Sequence, residues 1–95
     1  MKYHFHPEAY SELNDAVVFY DRCQEGLGLE FTMEVFNAIQ NILQYPLAWT
    51  SLSQNTRRCI LKRFPYGIIY QIKEDMIFII AIMQLSRKPL YWNKR

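Results

Sequence analysis

The 95-residue sequence predicts an α+β domain: an N-terminal strand, a helical hairpin, then a three-stranded antiparallel meander. Three observations carry this. From Met76 to Met83 every residue is apolar, the pattern of a strand covered on both faces. Two stretches upstream place apolar residues at helical spacing. Short connections rich in Pro, Gly and charge separate these runs.

In order, Tyr3-His4-Phe5-His6 alternates and reads as the first strand. Pro7 suits the first position of a helix, where its missing N–H is not needed. Ala9, Leu13, Ala16, Val17 and Tyr20 then form one apolar face, with Glu8 and Glu12 near the positive end of the helix dipole. Gly26-Leu27-Gly28 ends this helix and allows a sharp connection. A second helix runs from about Leu29 to Gln44, with Phe31, Val35, Phe36, Ile39, Ile42 and Leu43 inward, and Pro46 stops it. Residues 47–56 read as an irregular polar loop anchored by Trp49. Arg57, Arg58, Lys62 and Arg63 crowd the next strand, Phe64-Pro65-Tyr66-Gly67 turns it, Gly67–Ile72 is β-branched and aromatic, and Lys73-Glu74-Asp75 makes the last turn. The chain reads as one domain, 1–95, with one core between hairpin and sheet.

Composition narrows the functional classes. A hydrophobic fraction of 51% with 16% aromatic residues belongs to a folded globule. No stretch approaches the roughly 20 apolar residues of a membrane helix, and the N-terminus lacks the apolar segment of a signal peptide, so a cytoplasmic location without membrane contact is expected. Cys23 and Cys59, with no CxxC partner, read as reduced thiols. No metal motif, phosphate loop or nucleotide fingerprint occurs, so no cofactor is expected. His4 and His6 read as ordinary strand histidines.

Charge is segregated. Residues 1–50 carry two Lys/Arg against seven Asp/Glu, a net charge of −5; residues 51–95 carry nine against two, a net charge of +7. The basic half implies an anionic partner, nucleic acid or an acidic protein segment. Arg57, Arg58, Lys62, Arg63, Arg87, Lys88, Lys94 and Arg95 interleave with Phe64, Tyr66, Tyr70, Tyr91 and Trp92, a mixture suited to single-stranded RNA if the rings are exposed. The competing reading places Phe64, Tyr70 and Trp92 in the core and leaves Arg87 and Tyr91 outside.

The segments Arg63-Phe64-Pro65-Tyr66-Gly67-Ile68-Ile69-Tyr70, Ile80-Ala81-Ile82 and Arg87-Lys88-Pro89-Leu90-Tyr91-Trp92-Asn93-Lys94-Arg95 resemble the RelE/ParE family of bacterial toxins, and Phe5, Pro7, Glu12-Leu13, Gly26-Leu27-Gly28 and Pro46 extend the resemblance over the chain. It implies a toxin of a type II toxin–antitoxin pair, neutralised by a cognate antitoxin whose C-terminal segment wraps it, within a dimer or larger complex. Two activities occur in the superfamily. RelE-like members cut messenger RNA on the ribosome without metal; ParE-like members poison DNA gyrase. For the first, the resemblance offers Arg63, Arg87 and Tyr91 as catalytic residues. For target or antitoxin binding it offers Arg57, Arg58, Lys62, Lys88, Trp92 and Arg95. Where many relatives carry a histidine after the last strand, this chain has Gln84, whose amide cannot exchange a proton near neutral pH. Together with the YWxxR tail, this favours the gyrase-directed branch. A nucleic-acid-binding module without activity is the remaining alternative.

Overall fold

A computed structural model describes all residues, 1–95. The elements are β1 (Lys2–Phe5), α1 (Pro7–Cys23), α2 (Leu27–Gln44), β2 (Thr50–Ser51), β3 (Thr56–Ile60), β4 (Tyr66–Lys73) and β5 (Met76–Gln84). They form a helical hairpin and one five-stranded sheet in the order β1-β5-β4-β3-β2. The strand β1 pairs with β5 in parallel, and the other pairings are antiparallel. The apolar run β5 is therefore interior to the sheet, as its composition demands.

Local chemistry sets most boundaries. His6 caps α1 rather than extending β1: its Nδ1 accepts the Glu8 N–H at 3.1 Å, and Pro7 follows at the first helical position. Gly26 takes φ 87°, the left-handed turn between the helices. Gly28 lies inside α2, not in the connection, because the hairpin closes there. A Cβ on it would stand 2.6 Å from the Val17 carbonyl oxygen, and its N–H donates to Asp21 Oδ1 at 2.8 Å.

Three expectations change. The 47–56 loop contains a short edge strand, β2, which pairs Thr50 with Arg58 and Ser51 with Arg57. The next strand ends at Ile60, so Lys62 and Arg63 stand on the turn beyond it, where their backbone N–H groups donate to Glu34 Oε2 at 2.7 and 3.1 Å. The core is also double. Leu13, Val35, Ile39, Leu61, Ile68, Tyr70, Ile77, Ile79 and Ile82 pack under the helices, whereas Ile69, Ile80, Ala81, Met83 and Trp92 form a second cluster on the opposite face, with Phe78 and Tyr91 at its edge. Alternation along β4 and β5 sends these residues to opposite faces, and a register shift modifies it. Ile69 pairs with Ala81 but Tyr70 pairs with Ile79, so Ile80 is the extra residue of a bulge, and strict alternation fails there. The C-terminal tail supplies the second cover, so β5 is buried on both faces only from Ile79 to Met83, by different parts of the chain. No helix is long and apolar enough to cross a membrane.

Candidate functional site

Two of the three residues offered for chemistry, Arg87 and Tyr91, converge on the carboxylate of Glu12. On α1, Ala9, Leu13 and Ala16 are buried, and Glu12 shares their face. An ionised side chain in that position needs partners, because burying an unpaired charge is costly. Glu12 finds them where β1 stops. Past the His6 N–H bond to the Ile79 carbonyl (2.8 Å), the outer edge of β5 has no neighbouring strand. Side chains close it. Glu12 Oε1 accepts the Ile82 N–H at 3.0 Å, and Arg95 Nη1 donates to the Ile80 carbonyl at 3.0 Å.

The same carboxylate gathers the tail. Arg95 donates to it in a bidentate fork, Nη1 to Oε1 at 2.8 Å and Nη2 to Oε2 at 3.1 Å. The Tyr91 hydroxyl donates to Oε2 at 2.6 Å, and Arg87 Nη1 does so at 3.3 Å. Arg87 also stacks on the Tyr91 ring, its guanidinium carbon 3.6 Å from the centroid. The Arg95 and Glu12 side chains are 10% and 14% exposed, so this is an interior pair, while Arg87 at 52% is a surface one. Leu90 takes φ 68°, a left-handed turn unusual for its residue type, which folds Tyr91 and Trp92 back onto the sheet.

These contacts bear on what each group can do chemically. Burial raises the Tyr91 pKa far above the usual phenol value, and its hydrogen bond to Glu12 and the Glu12 charge push the same way; Arg87 and Arg95 only partly oppose them. The hydroxyl is a fixed donor to a carboxylate, not a group poised to exchange protons near neutrality. Beside it lies a cleft of about 270 Å³ lined by Glu12, Asp15, Phe19, Tyr66, Gln84 and Arg87. Burial also raises the Tyr66 pKa, with smaller contributions from Tyr20, Glu12 and Asp15.

The remaining sequence candidates are dispersed. Arg63 pairs with Glu30 of α2 at 2.7 Å and lines a separate cleft with Glu34 and Asn37, so it does not share a cleft with Arg87. Arg57 donates to the Leu47 and Trp49 carbonyls at 3.2 and 2.7 Å, securing the loop before β2. Arg58 lies on the sheet face opposite the helices, and its buried Nε has no partner. Lys62 and Lys88 are exposed. Trp92 and Arg95, expected as contact residues, face the chain's own sheet instead; Trp92 is 6% exposed and its Nε1 is unpaired. Phe64 and Tyr70 are core, and Tyr91, expected outside, is half-buried. No group of three or more His, Cys, Asp or Glu side chains stands where it could hold a metal ion. Sequence reading placed Glu12 in the first turns of a helix and within the family resemblance but gave neither it nor Glu34 these partners; the signal for Glu12 was its place beside Ala9, Leu13 and Ala16 on the apolar face.

Comparison with known proteins agrees with this architecture. A chain of the chromosomal ParDE toxin–antitoxin system from P. aeruginosa superposes with a TM-score of 0.78 at 17% identity, covering 90% of this chain and 97% of that one. At that identity the likeness speaks for the fold. No curated protein matches the sequence. The family described as the ParE toxin of the type II toxin–antitoxin system parDE matches residues 3–89, nearly the whole length. The chain therefore belongs to the ParE toxin family of type II toxin–antitoxin systems.

Proposed function

We propose that this chain is a toxin that binds and inhibits DNA gyrase, held inactive by a cognate antitoxin, and that it does not cleave RNA. The observation carrying this reading is the Tyr91 hydroxyl, committed to Glu12 at 2.6 Å with its pKa pushed up. A metal-free ribonuclease must deprotonate a 2′-hydroxyl and protonate a leaving oxygen. Tyr91 is the tail side chain that could do so, and Gln84 stands where a histidine would otherwise help. Arg63, the third nuclease candidate, is engaged with Glu30 in another cleft. What the tail does present is a fixed surface of Arg87, Lys88 and Lys94, the form of a binding epitope.

The antitoxin has a fitting surface. Leu61 donates its N–H to the Tyr66 carbonyl at 2.9 Å, so by alternation the backbone of Ile60 points away from β4, and β2 pairs no further along β3 than Arg58. This open edge borders a groove of about 360 Å³ between α2 and β3, floored by Ala38, Trp49 and Leu61. An extended segment can add to such an edge by main-chain hydrogen bonds.

The test measures both activities directly. Purified chain is added to gyrase supercoiling reactions and, separately, to translating ribosomes whose messenger RNA is mapped by primer extension. Loss of supercoiling with intact RNA is expected, and reversal by the antitoxin should follow. Cleaved messenger RNA with unaffected gyrase would overturn the proposal. Tyr91→Phe alone is a poorer discriminator, because it also deletes a bond that holds the tail.

A further inference from the structure

We propose that the sheet face opposite the helices is a binding platform for single-stranded nucleic acid, centred on Phe78. The aromatic residues that the sequence placed beside the basic cluster are mostly core, but strand register builds a different mixture. Residues paired across neighbouring strands project from the same face. His4 pairs with Phe78, and Phe78 pairs with Gln71, which sets these three side chains in one row across β1, β5 and β4. One row further along, Lys2 pairs with Met76 and Met76 with Lys73. On the other side of Phe78, Arg58 pairs with Ile69. The tail covers this face only near Ile69, Ile80, Ala81 and Met83. Lys2, His4 and Lys73 are exposed, and Arg58, Gln71 and Phe78 are partly so.

The contacts around Phe78 fit this chemistry. Its ring has the Lys73 ammonium 5.8 Å from the centroid and the His4 ring edge-on at 6.1 Å. None of Lys2, Arg58 and Lys73 forms an ion pair, unlike Arg63, Arg87 and Arg95. Adjacent rows lie about 6–7 Å apart along a strand, so a base stacked on Phe78 would have cations within reach of its flanking phosphates. Gln71 spends its Nε2 on the Thr56 hydroxyl at 3.3 Å, leaving its carbonyl oxygen for a base edge. Two acids, Glu74 and Asp75, stand in the β4–β5 turn and line a cleft with Lys2 and Met76 at the lysine end of the face, so their repulsion directs a phosphate chain away from that end and toward Arg58. An acidic peptide would meet the cations but would have no use for the ring. This platform is separate from the Glu12 cluster, and its test does not depend on gyrase.

The experiment is fluorescence anisotropy of a labelled oligothymidylate of about twelve nucleotides titrated with the intact chain across salt concentrations. Three phosphate contacts predict a slope of log K against log salt of about −2, falling to about −0.7 in Lys2→Ala/Lys73→Ala. Phe78→Leu should weaken binding about tenfold with the slope unchanged. The same sequence as a duplex should bind more weakly, since its bases cannot stack on the ring. Absence of binding at about 50 mM salt, or an unchanged slope in the lysine variant, would overturn the proposal. So would polyglutamate competing as well as the oligonucleotide while Phe78→Leu is silent. Should Phe78→Leu lose its cooperative melt, the lysine variant decides, because both side chains are exposed.

Discussion

Replacing Glu12 with Ala should remove a large part of this domain's stability. The carboxylate accepts the Ile82 N–H, the Tyr91 hydroxyl, Arg87 and both arms of Arg95. Deleting it leaves the Arg95 guanidinium, 10% exposed, with only the exposed Glu8 carboxylate, 3.7 Å from its Nε, as counter-charge. Breaking an interior ion pair by removing one partner costs about 3–5 kcal/mol. The orphaned Ile82 N–H would add about 1–3 kcal/mol if nothing replaced its acceptor. Water reaching the vacated edge will recover part of this, and the contributions share one carboxylate, so about 3–4 kcal/mol is the expected total. A chain of this size has about 5–14 kcal/mol to lose. Urea unfolding followed by Trp fluorescence measures the loss, with Asp15→Ala as control; Asp15 is exposed on the same helix without an ion pair, and should stay within about 0.5 kcal/mol of the parent. Deleting Arg95 in the Glu12→Ala background should cost far less than deleting it alone. A loss below about 1 kcal/mol in Glu12→Ala, or additive losses in the pair, would refute the view that this carboxylate ties the tail to the fold.

Three further outcomes are expected. Ile80→Ala, which empties the cover beneath Trp92, should lower stability by about 2–5 kcal/mol in the same urea assay and shift the emission of that tryptophan, since Ile80 is 6% exposed. Gly28→Ala should destabilise by about 1–3 kcal/mol in thermal melts because its Cβ meets the Val17 carbonyl oxygen at 2.6 Å, whereas Gly26→Ala meets no atom and suffers only its φ of 87°, about 1–2 kcal/mol. Burial raises the Cys59 thiol from 9.0 to about 11, so the unfolded chain ionises first: stability should be level below pH 9, fall between pH 9 and 11, and fall by up to about 2–3 kcal/mol less steeply over that window in Cys59→Ala.

The elements were legible because their signals are local. Helical spacing marked both helices, Pro7, Gly26 and Pro46 bounded them, and an unbroken apolar run marked β5. What escaped was set by partners distant in sequence. The edge strand β2 has two residues, too few for any period, and exists because Arg57 and Arg58 are there to pair with it. The bulge at Ile80 is invisible in a stretch where every residue is apolar, and the second core exists because the distant tail folds Trp92 onto the far face of the sheet. In the candidate site, the tail motif identified Arg87, Tyr91 and Arg95, but their direction depends on Glu12, about eighty residues away along the chain. An acid on an apolar helical face is a readable anomaly; which cation answers it is not.

The charge segregation has a different meaning once these contacts are known. A net −5 half beside a net +7 half suggested that the basic half awaits an anionic partner. Part of that demand is met within the chain. Arg63 meets Glu30, Arg87 and Arg95 meet Glu12, and Arg95 also reaches Glu8 at 3.7 Å, so acids of the helical hairpin neutralise cations of the turn and tail. Glu34 serves the same boundary through the Lys62 and Arg63 backbone. Opposite charge in two halves of a small α+β domain is thus partly a docking signal between its own layers. What remains to call for an outside partner is a set of cations without an ion pair: Arg57, Arg58, Lys62, Lys73, Lys88 and Lys94, together with Lys2. Of these, Lys2, Arg58 and Lys73 share the sheet face that the helices leave uncovered, and Lys88 and Lys94 stand on the tail. A partner's salt dependence should follow these seven cations and be indifferent to Arg95, whose charge the fold has already used.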